Sequence, residues 1–199
     1  MHRARGWQGR IGIGRLAAMR FVETRLPGAY VIELERKADE RGFFARSYCE
    51  REFGAHGLVT RFPQGNLSYN ARAGTLRGMH YQAAPHREAK VVSCVAGAIY
   101  DVIVDLRADS TTRRQWLGVE LDAKDRRALY VPPGFAHGFL TLRDATEVSY
   151  QMGEFYVAEA ARGFRWNDPL FGISWPASPT TLSERDRTYP DFDPATFDG

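Results

Sequence analysis

Two short segments concentrate the side chains that could carry chemistry. Gly74–Gln82 reads GTLRGMHYQ and Pro132–Phe139 reads PPGFAHGF. The first contains Arg77 and His80, and Lys90 follows it in the sequence. A histidine, an arginine and a lysine brought by short strands into one cavity could move protons on an anionic substrate, because imidazole exchanges protons near neutral pH and the two cations hold negative charge.

The elements that must position these residues are predicted to be strands. From Phe21 onward, period-two alternation and β-branched or aromatic runs are punctuated by Gly and Pro. Only CEREFGAHG and the stretch after Tyr156 read as helical or irregular. The predicted strands are AYVIEL, LVTRFPQGNLSYN, GTLRGMHYQ, AKVVSCVAG, AIYDVIVDLR, WLGVEL, ALYVPPG, GFLTL and EVSYQM.

This pattern predicts an all-β protein, and among closed double-sheet folds the cupin jelly roll fits best because its binding site is the mouth of the barrel. A length of 199 residues with 44% hydrophobic and 26% charged residues is typical of a single globular domain. The formal charge of +3 comes from interleaved acidic and basic residues. That favours a local anion site over a nucleic-acid-binding face, so we expect no nucleic-acid partner.

Cysteine usage and hydropathy favour a cytoplasmic protein. Cys49 and Cys94 are too few and too isolated for a disulfide framework or a zinc site. The longest apolar run is interrupted by Asp101 and Asp105, so no membrane-spanning segment is expected. Residues 1–18 lack the apolar stretch of a signal peptide. We expect them to form a disordered extension, followed by one cupin domain over residues 19–199.

Two aspartates of the predicted strand AIYDVIVDL require explanation. Asp101 and Asp105 fall on the same side of that strand. Burying a carboxylate without a partner is costly, so each must have one. The candidate partners are Lys90, His137 and Arg107.

The two histidines also suggest a metal site, but an incomplete one. Metal-binding cupins carry a glycine, five residues and His-x-His with a downstream Glu, and then Pro-x-Gly-x-x-His. This chain matches at His80 and His137, but Gln82 replaces the second histidine and the spacing to Glu88 differs. Two imidazoles are fewer than the three or four side chains that a metal usually takes. We expect no metal, and a metal-dependent cupin with these two histidines as ligands is the alternative.

The stretch from about Met19 to Pro190 resembles the dTDP-4-dehydrorhamnose 3,5-epimerase family. These proteins are metal-free cupins that invert the carbons flanking the ketone of a nucleotide-linked 4-keto sugar. The resemblance implies a nucleotide-sugar substrate, no cofactor and a homodimer. It rests on the segments DERGFF, FPQGNLSYN, GTLRGMHYQ, EAKVV, AIYDVIVDLR, LYVPPGFAHGFL, EVSYQMGEFY, RWNDP and SERD.

The resemblance assigns catalytic roles to four residues. Epimerisation next to a ketone needs a base on one face, an acid on the other and a donor that stabilises the enolate between them. By resemblance His80 is the base and Asp186 orients it. Tyr150 is the opposing acid, and Lys90 lies near the ketone oxygen. Taken alone, each residue has a plainer interpretation, such as a lysine at a strand edge paired with a carboxylate.

A second group is implied to bind the substrate. Arginine suits a diphosphate because its planar guanidinium can donate two hydrogen bonds to phosphate oxygens. In the resemblance His137 is close to the sugar and Tyr156 packs near the base. The implied set is Arg41, Phe44, Gln64, Asn66, Arg77, His137, Tyr156 and Arg185.

Two positions depart from the family pattern. Arg46 stands where characterised members have a glutamate near the nucleotide base, and a donor-only side chain cannot accept a hydrogen bond from thymine. Ala161 replaces a glutamate common in the family, with Glu159 nearby, which alters the surroundings of Tyr156. The alternatives are therefore a single-centre 3- or 5-epimerase on a dTDP-, CDP- or GDP-linked 4-keto sugar, or a non-catalytic sugar-nucleotide-binding cupin.

The predicted homodimer has a structural argument as well. An exposed apolar edge strand tends to pair with another chain, and AYVIEL is predicted to be such an edge. In the family arrangement Arg41 reaches the partner's site. We therefore expect a dimer with two equivalent sites.

Overall fold

The structure is a computed structural model that describes residues 18–195. One of its two large sheets has six strands, all pairs of which are antiparallel. In spatial order the strands are β1 (Met19–Glu23), β2 (Tyr30–Leu34), β10 (Ala128–Val131), β7 (Lys90–Ala96), β12 (Thr146–Met152) and β5 (Gln64–Asn70).

The second large sheet has five strands, also antiparallel. Its spatial order is β13 (Ala161–Gly163), β6 (Leu76–Gln82), β11 (Phe135–Thr141), β8 (Ala98–Asp105) and β9 (Trp116–Asp122). A separate hairpin, β3 (Lys37–Asp39) with β4 (Gly42–Phe44), and two helices, α1 (Glu50–Ala55) and α2 (Glu184–Thr188), complete the fold.

From β5 onward the chain passes back and forth between the two sheets, which is the jelly-roll arrangement, and the predicted fold class is confirmed. Alternation along the strands builds the core between the sheets. Val92 and Cys94 of β7 point into it, together with Ile99 and Ile103 of β8. The intervening residues of β8 pack outward, where Val102 meets a second cluster formed with the C-terminal segment. Strand β8 is therefore buried on both faces, which explains its nearly continuous apolar sequence.

The nine predicted strands all appear, as β2 and β5–β12, and CEREFGAHG contains α1. One expectation was wrong: AYVIEL, which forms β2, is not an edge. Residues Met19–Glu23 form an unpredicted strand that pairs along its whole length, and β10 covers the other side. The edges of this sheet are β1 and β5.

The predicted N-terminal extension falls almost entirely on residues 1–17, which lie outside the described range, as do residues 196–199. Within residues 18–195, neither helix has the length and apolar character needed to cross a bilayer.

Candidate active site

The two motif histidines lie side by side because β6 and β11 are neighbours. In their antiparallel pairing His80 is opposite His137. The backbones come unusually close at Gly78 and Gly138: a Cβ on Gly78, which has a φ of +135°, would lie 2.5 Å from the Cα of Gly138. Only glycine fits this approach. The glycines of GTLRGMHYQ and PPGFAHGF therefore let the two strands present both imidazoles to one cavity.

His80 is paired with Asp186. The distance between His80 Nε2 and Asp186 Oδ1 is 2.6 Å, and the imidazole is 42% exposed whereas the carboxylate is 5% exposed. Burial raises the pKa of Asp186, but its interaction with His80 and a hydrogen bond from the Gly78 N–H outweigh burial, so the pKa is lowered. An ionised Asp186 accepts the Nε2 hydrogen, which leaves Nδ1 as the basic nitrogen of a neutral ring.

Asp186 reaches His80 because the C-terminal segment is fastened to the start of β6. Leu76 N–H donates to the Thr181 carbonyl at 2.9 Å, and Thr180 N–H donates to the Gly74 carbonyl at 2.9 Å. Helix α2 begins directly after this attachment, with Ser183 as its N-cap accepting a hydrogen bond from Asp186 N–H. The cap fixes the first turn, and with it the aspartate.

Tyr150 faces these residues from the opposite sheet. It lies on β12, and its ring centroid is 6.1 Å from that of His137 and 6.4 Å from that of Phe139. Burial, and then the charge of Asp101, raises the pKa of the phenol, so Tyr150 keeps its proton at neutral pH. A cavity of about 330 Å³ separates the sheets here, and its lining includes His80, Lys90 and Tyr150.

Lys90, the first residue of β7, contributes a buried cation to this cavity. Its Nζ lies 2.6 Å from Oε1 of Glu88, and the two side chains are 8% and 4% exposed. The ammonium therefore lies at the wall of the cavity that His80 and Tyr150 also line.

The predicted partners of the two buried aspartates are confirmed. Asp101 lies 2.7 Å from Nε2 of His137, and Asp105 lies 2.7 Å from Nη2 of Arg107. Lys90 bonds to neither aspartate, since it pairs with Glu88.

A second cavity of about 420 Å³ adjoins the first, and the two share Asn66, His80, Lys90, Met152 and Arg185 as lining residues. A hydrogen bond with Tyr156 raises the pKa of Arg185, and the guanidinium lies 5.5 Å from the ring centre of Tyr189. Together the cavities offer a proton-transfer region beside a cationic and aromatic region.

Comparisons with known proteins identify this arrangement. The profile of the dTDP-4-dehydrorhamnose 3,5-epimerase family matches residues 23–194. The chain belongs to this family. A relative of that name from Methanothermobacter thermautotrophicus is 43% identical over 177 residues, which are 87% of this chain and 95% of the relative.

Solved structures of the epimerase family share its fold. The Bacillus anthracis dTDP-4-dehydrorhamnose 3,5-epimerase, with TDP and PPi bound, is 44% identical, covers 88% of this chain and 100% of its own, and has a TM-score of 0.85. ChmJ, a 3'-monoepimerase from Streptomyces bikiniensis in complex with dTDP-quinovose, is 33% identical, covers 84% of this chain and 85% of its own, and has a TM-score of 0.77.

Most residues implied by the family resemblance line the two cavities. Those in or beside the first are Asn66, Arg77, His80, Lys90, His137, Tyr150, Arg185 and Asp186, and the second adds Gln64 and Tyr156.

Arg41 and Phe44 are not brought to the cavities of their own chain. Both belong to the exposed β3–β4 hairpin, where Arg41 pairs with Asp39 at 2.5 Å. Arg46, the departure from the epimerase pattern, is bound to Glu52 of α1.

Sequence reasoning did not include Glu88, Met152 or Ser183 among the site residues of this epimerase-family chain, although all three line a cavity. One signal was available for Ser183: the sequence Ser183-Glu184-Arg185-Asp186 has the spacing of a helix-capping motif. It would have predicted α2 and the fixed position of Asp186.

The residues of this epimerase-family site do not suit a metal. Gln82, at the missing histidine position, donates to the carbonyls of His86 and Phe155 and accepts from Val157 N–H. Both motif histidines use Nε2 for a carboxylate. In the part of the chain that is described, no three His, Cys, Asp or Glu side chains gather as a ligand set. A metal-free site stays a prediction.

Proposed function

We propose that this protein inverts the two carbons flanking the ketone of a nucleotide-linked 4-keto-6-deoxyhexose, as a dTDP-4-dehydrorhamnose 3,5-epimerase. The observation that carries the proposal is the placement of His80, paired with Asp186, and of Tyr150 from the opposite sheet around one cavity that Lys90 also lines. Membership of the epimerase family supports the same reaction.

In the proposed mechanism His80 Nδ1 removes the proton from a carbon next to the ketone. The C–H electron pair moves into a carbon–carbon double bond, and the carbonyl electrons move to oxygen, forming an enolate that the ammonium of Lys90 stabilises. The enolate collapses by taking the phenolic proton of Tyr150 on the opposite face. Solvent then reprotonates Tyr150 and accepts the proton from His80, and the cycle repeats at the second carbon.

We infer that the adjoining cationic and aromatic region holds the nucleotide. Arg185 and Arg77 supply guanidinium groups, and the latter is fixed by donating from Nε to Asn70 Oδ1 at 2.8 Å. Tyr156 is 56% exposed at the cavity wall, which suits stacking against a base. The TDP bound to the Bacillus anthracis relative supports a nucleotide ligand for this chain.

We also propose a cytoplasmic homodimer. Both cysteines are free, which suits a reducing compartment. On the outer face of the six-stranded sheet the large apolar residues Leu67, Tyr69 and Val95 are exposed, a patch that a second copy would cover. The hairpin carrying Arg41 and Phe44 is equally uncovered, and in a dimer it would extend towards the partner's cavity.

The test is incubation of the purified protein with dTDP-4-keto-6-deoxyglucose in deuterated water, followed by NMR of the sugar. Deuterium and inversion at both carbons 3 and 5 are the expected result. Change at one carbon alone would make the protein a single-centre enzyme, as ChmJ is named.

Failure of dTDP-, CDP- and GDP-linked 4-keto sugars to exchange deuterium would overturn the proposal. In that case, tight calorimetric binding of dTDP would indicate a non-catalytic binding protein. Comparing the dTDP-linked sugar with the CDP- and GDP-linked sugars also tests whether Arg46 changes the choice of nucleotide. We expect this effect to be small because the Arg46 guanidinium is already paired with Glu52.

A further inference from the structure

Glu88 is the one buried glutamate of the described residues, and it lines the second cavity beside Lys90, which lines both. It precedes β7 and forms the buried ion pair with Lys90 at 2.6 Å. The chain contains only three lysines, Lys37, Lys90 and Lys124, and Lys90 is the only buried one. An unusual buried cation is therefore matched by an unusual buried carboxylate.

Stability does not explain this pair. Removing two charges from water costs more than their attraction returns unless further hydrogen bonds satisfy the remaining atoms. The second carboxylate oxygen of Glu88, Oε2, is buried and has no hydrogen-bond partner within residues 18–195. The carboxylate is consequently committed to Lys90 and supports nothing else.

The backbone between the two side chains is immobilised. Ala89 O accepts a hydrogen bond from Gly153 N–H at 2.8 Å, and a Cβ on Gly153 would lie only 3.2 Å from Ala89. Since Ala89 is locked against the segment that follows β12, Glu88 and Lys90 cannot separate by a backbone shift. Their contact fixes the position of Nζ at the cavity wall.

We propose that Glu88 is a positioning residue of the epimerase, which holds the Lys90 side chain in place and aims its ammonium at the ketone oxygen. This inference rests on the proposed function, because it assumes that Lys90 stabilises the enolate. Without the 2.6 Å contact to Glu88, the ammonium would lose its only ion-pair partner among residues 18–195, and Nζ could leave its position. The other titratable or charged groups that line the cavities with Lys90 are Arg77, His80, Tyr81, His137, Tyr150, Tyr156, Arg162, Arg185 and Asp186.

The experiment compares Glu88→Gln, Glu88→Asp and Lys90→Met with the wild type, together with the Glu88→Gln/Lys90→Met double variant. We expect Glu88→Gln to lower kcat by 10- to 100-fold with KM changed less than threefold. Glu88→Asp, which keeps the charge, should recover much of the loss. In the Lys90→Met background, Glu88→Gln should change kcat less than twofold, because Glu88 acts through Lys90.

A second readout does not depend on activity. With 13C-labelled lysine, the Cε resonances of the three lysines can be compared at one pH between the wild type and Glu88→Gln. We expect the Lys90 resonance to move in Glu88→Gln because the side chain loses its contact with Glu88, while the resonances of exposed Lys37 and Lys124 stay unchanged and serve as internal controls.

Three results would overturn the proposal: unchanged kcat in Glu88→Gln, an equal loss in the presence and absence of Lys90, or loss of folding in both Glu88 variants. An inactive wild type would instead refute the proposed function. The lysine spectra would then still show whether Glu88 holds the Lys90 side chain in place.

Discussion

Two fully buried aspartates of β8, Asp101 and Asp105, have opposite surroundings. Asp105 lies at the end of the strand and accepts hydrogen bonds from the side chains of Arg107, Ser110 and Thr112. Asp101 lies in the middle of the strand and is bonded through Oδ1 to His137 of the cavity wall, while its Oδ2 has no hydrogen-bond partner among residues 18–195.

The difference distinguishes Asp105, which stabilises the fold, from Asp101, which contacts a residue of the candidate site. Burial raises the pKa of Asp105, but hydrogen bonds from Arg107, Ser110 and Thr112 outweigh it and lower the pKa. Every hydrogen-bonding position of that carboxylate serves the loop after β8. Asp101, like Glu88, supports one cationic or basic side chain at the cavity and keeps an unpaired oxygen. The carboxylate with an unpaired oxygen is therefore the one that contacts a side chain of the candidate site.

The largest effect is expected at His80 in the candidate site. Changing His80→Ala removes the proposed base, and general-base catalysis is worth about 10²–10⁴-fold, so turnover should fall by at least about 1,000-fold. The melting temperature should also fall, because the buried Asp186 carboxylate loses its partner, so kcat is measured well below it. His56→Ala, outside the cavities at the end of α1, is the matched control. Retained epimerisation in His80→Ala would remove His80 from the mechanism.

The second prediction concerns Asp105, the aspartate that stabilises the loop after β8. Asp105→Asn should lower the free energy of unfolding by about 3 kcal/mol, because a buried ion pair loses one charge, while kcat of the folded protein stays within about twofold. Asp101→Asn is the matched comparison and should cost about 1 kcal/mol, since an amide oxygen can still accept its single hydrogen bond. Urea denaturation measures both, and equal losses would break the distinction between the two aspartates.

The stability difference between wild type and Asp105→Asn should also depend on pH. The folded-state pKa of Asp105 is lowered, so its contribution is fully present above the unfolded value of about 3.9 and declines as pH falls through the folded value. Denaturation measured between about pH 7 and pH 3 should show the difference shrinking only below about pH 4. A constant difference would mean that charge is not its origin.

The most specific effect is expected at Tyr150. Tyr150→Phe removes the proposed acid but leaves His80, so His80 can still take a proton and return one to the same face. Inversion should fall about 100-fold, whereas incorporation of solvent deuterium with retained configuration should fall far less. NMR of the sugar distinguishes the two. An equal loss of exchange and inversion would show that Tyr150 acts before the enolate forms.

The strands were predictable because their signal is local. In AKVVSCVAG and EVSYQM, every second residue faces the core between the sheets, and both segments form strands as expected. Strand β3 was missed because all its residues are exposed, so no hydrophobic period exists to detect. The edge status of β2 was mispredicted because pairing with β1 depends on a neighbour rather than on the strand's own sequence.

Part of the site was predictable because a buried carboxylate needs a hydrogen-bonding or charged partner. The cost of a buried carboxylate predicted partners among Lys90, His137 and Arg107. His137 and Arg107 are those partners, whereas Lys90 pairs with Glu88 instead. The contact between His80 and Asp186 followed only from family resemblance, because it joins residues 106 positions apart. The residue pattern within either segment gives no information about a contact between segments so far apart in the sequence.

The attachment of the C-terminal segment to β6 has a consequence for the synthesis of the protein. Polypeptides leave the ribosome from the amino terminus, and domains fold as units while they emerge. Every strand of both sheets precedes α2, so the barrel can close before Asp186 has been translated. A chain interrupted after β13 would contain every strand and His80, but it would lack Asp186 and the apolar C-terminal residues that cover the outer face of β8. Under the proposed mechanism, turnover therefore requires translation to proceed beyond Asp186.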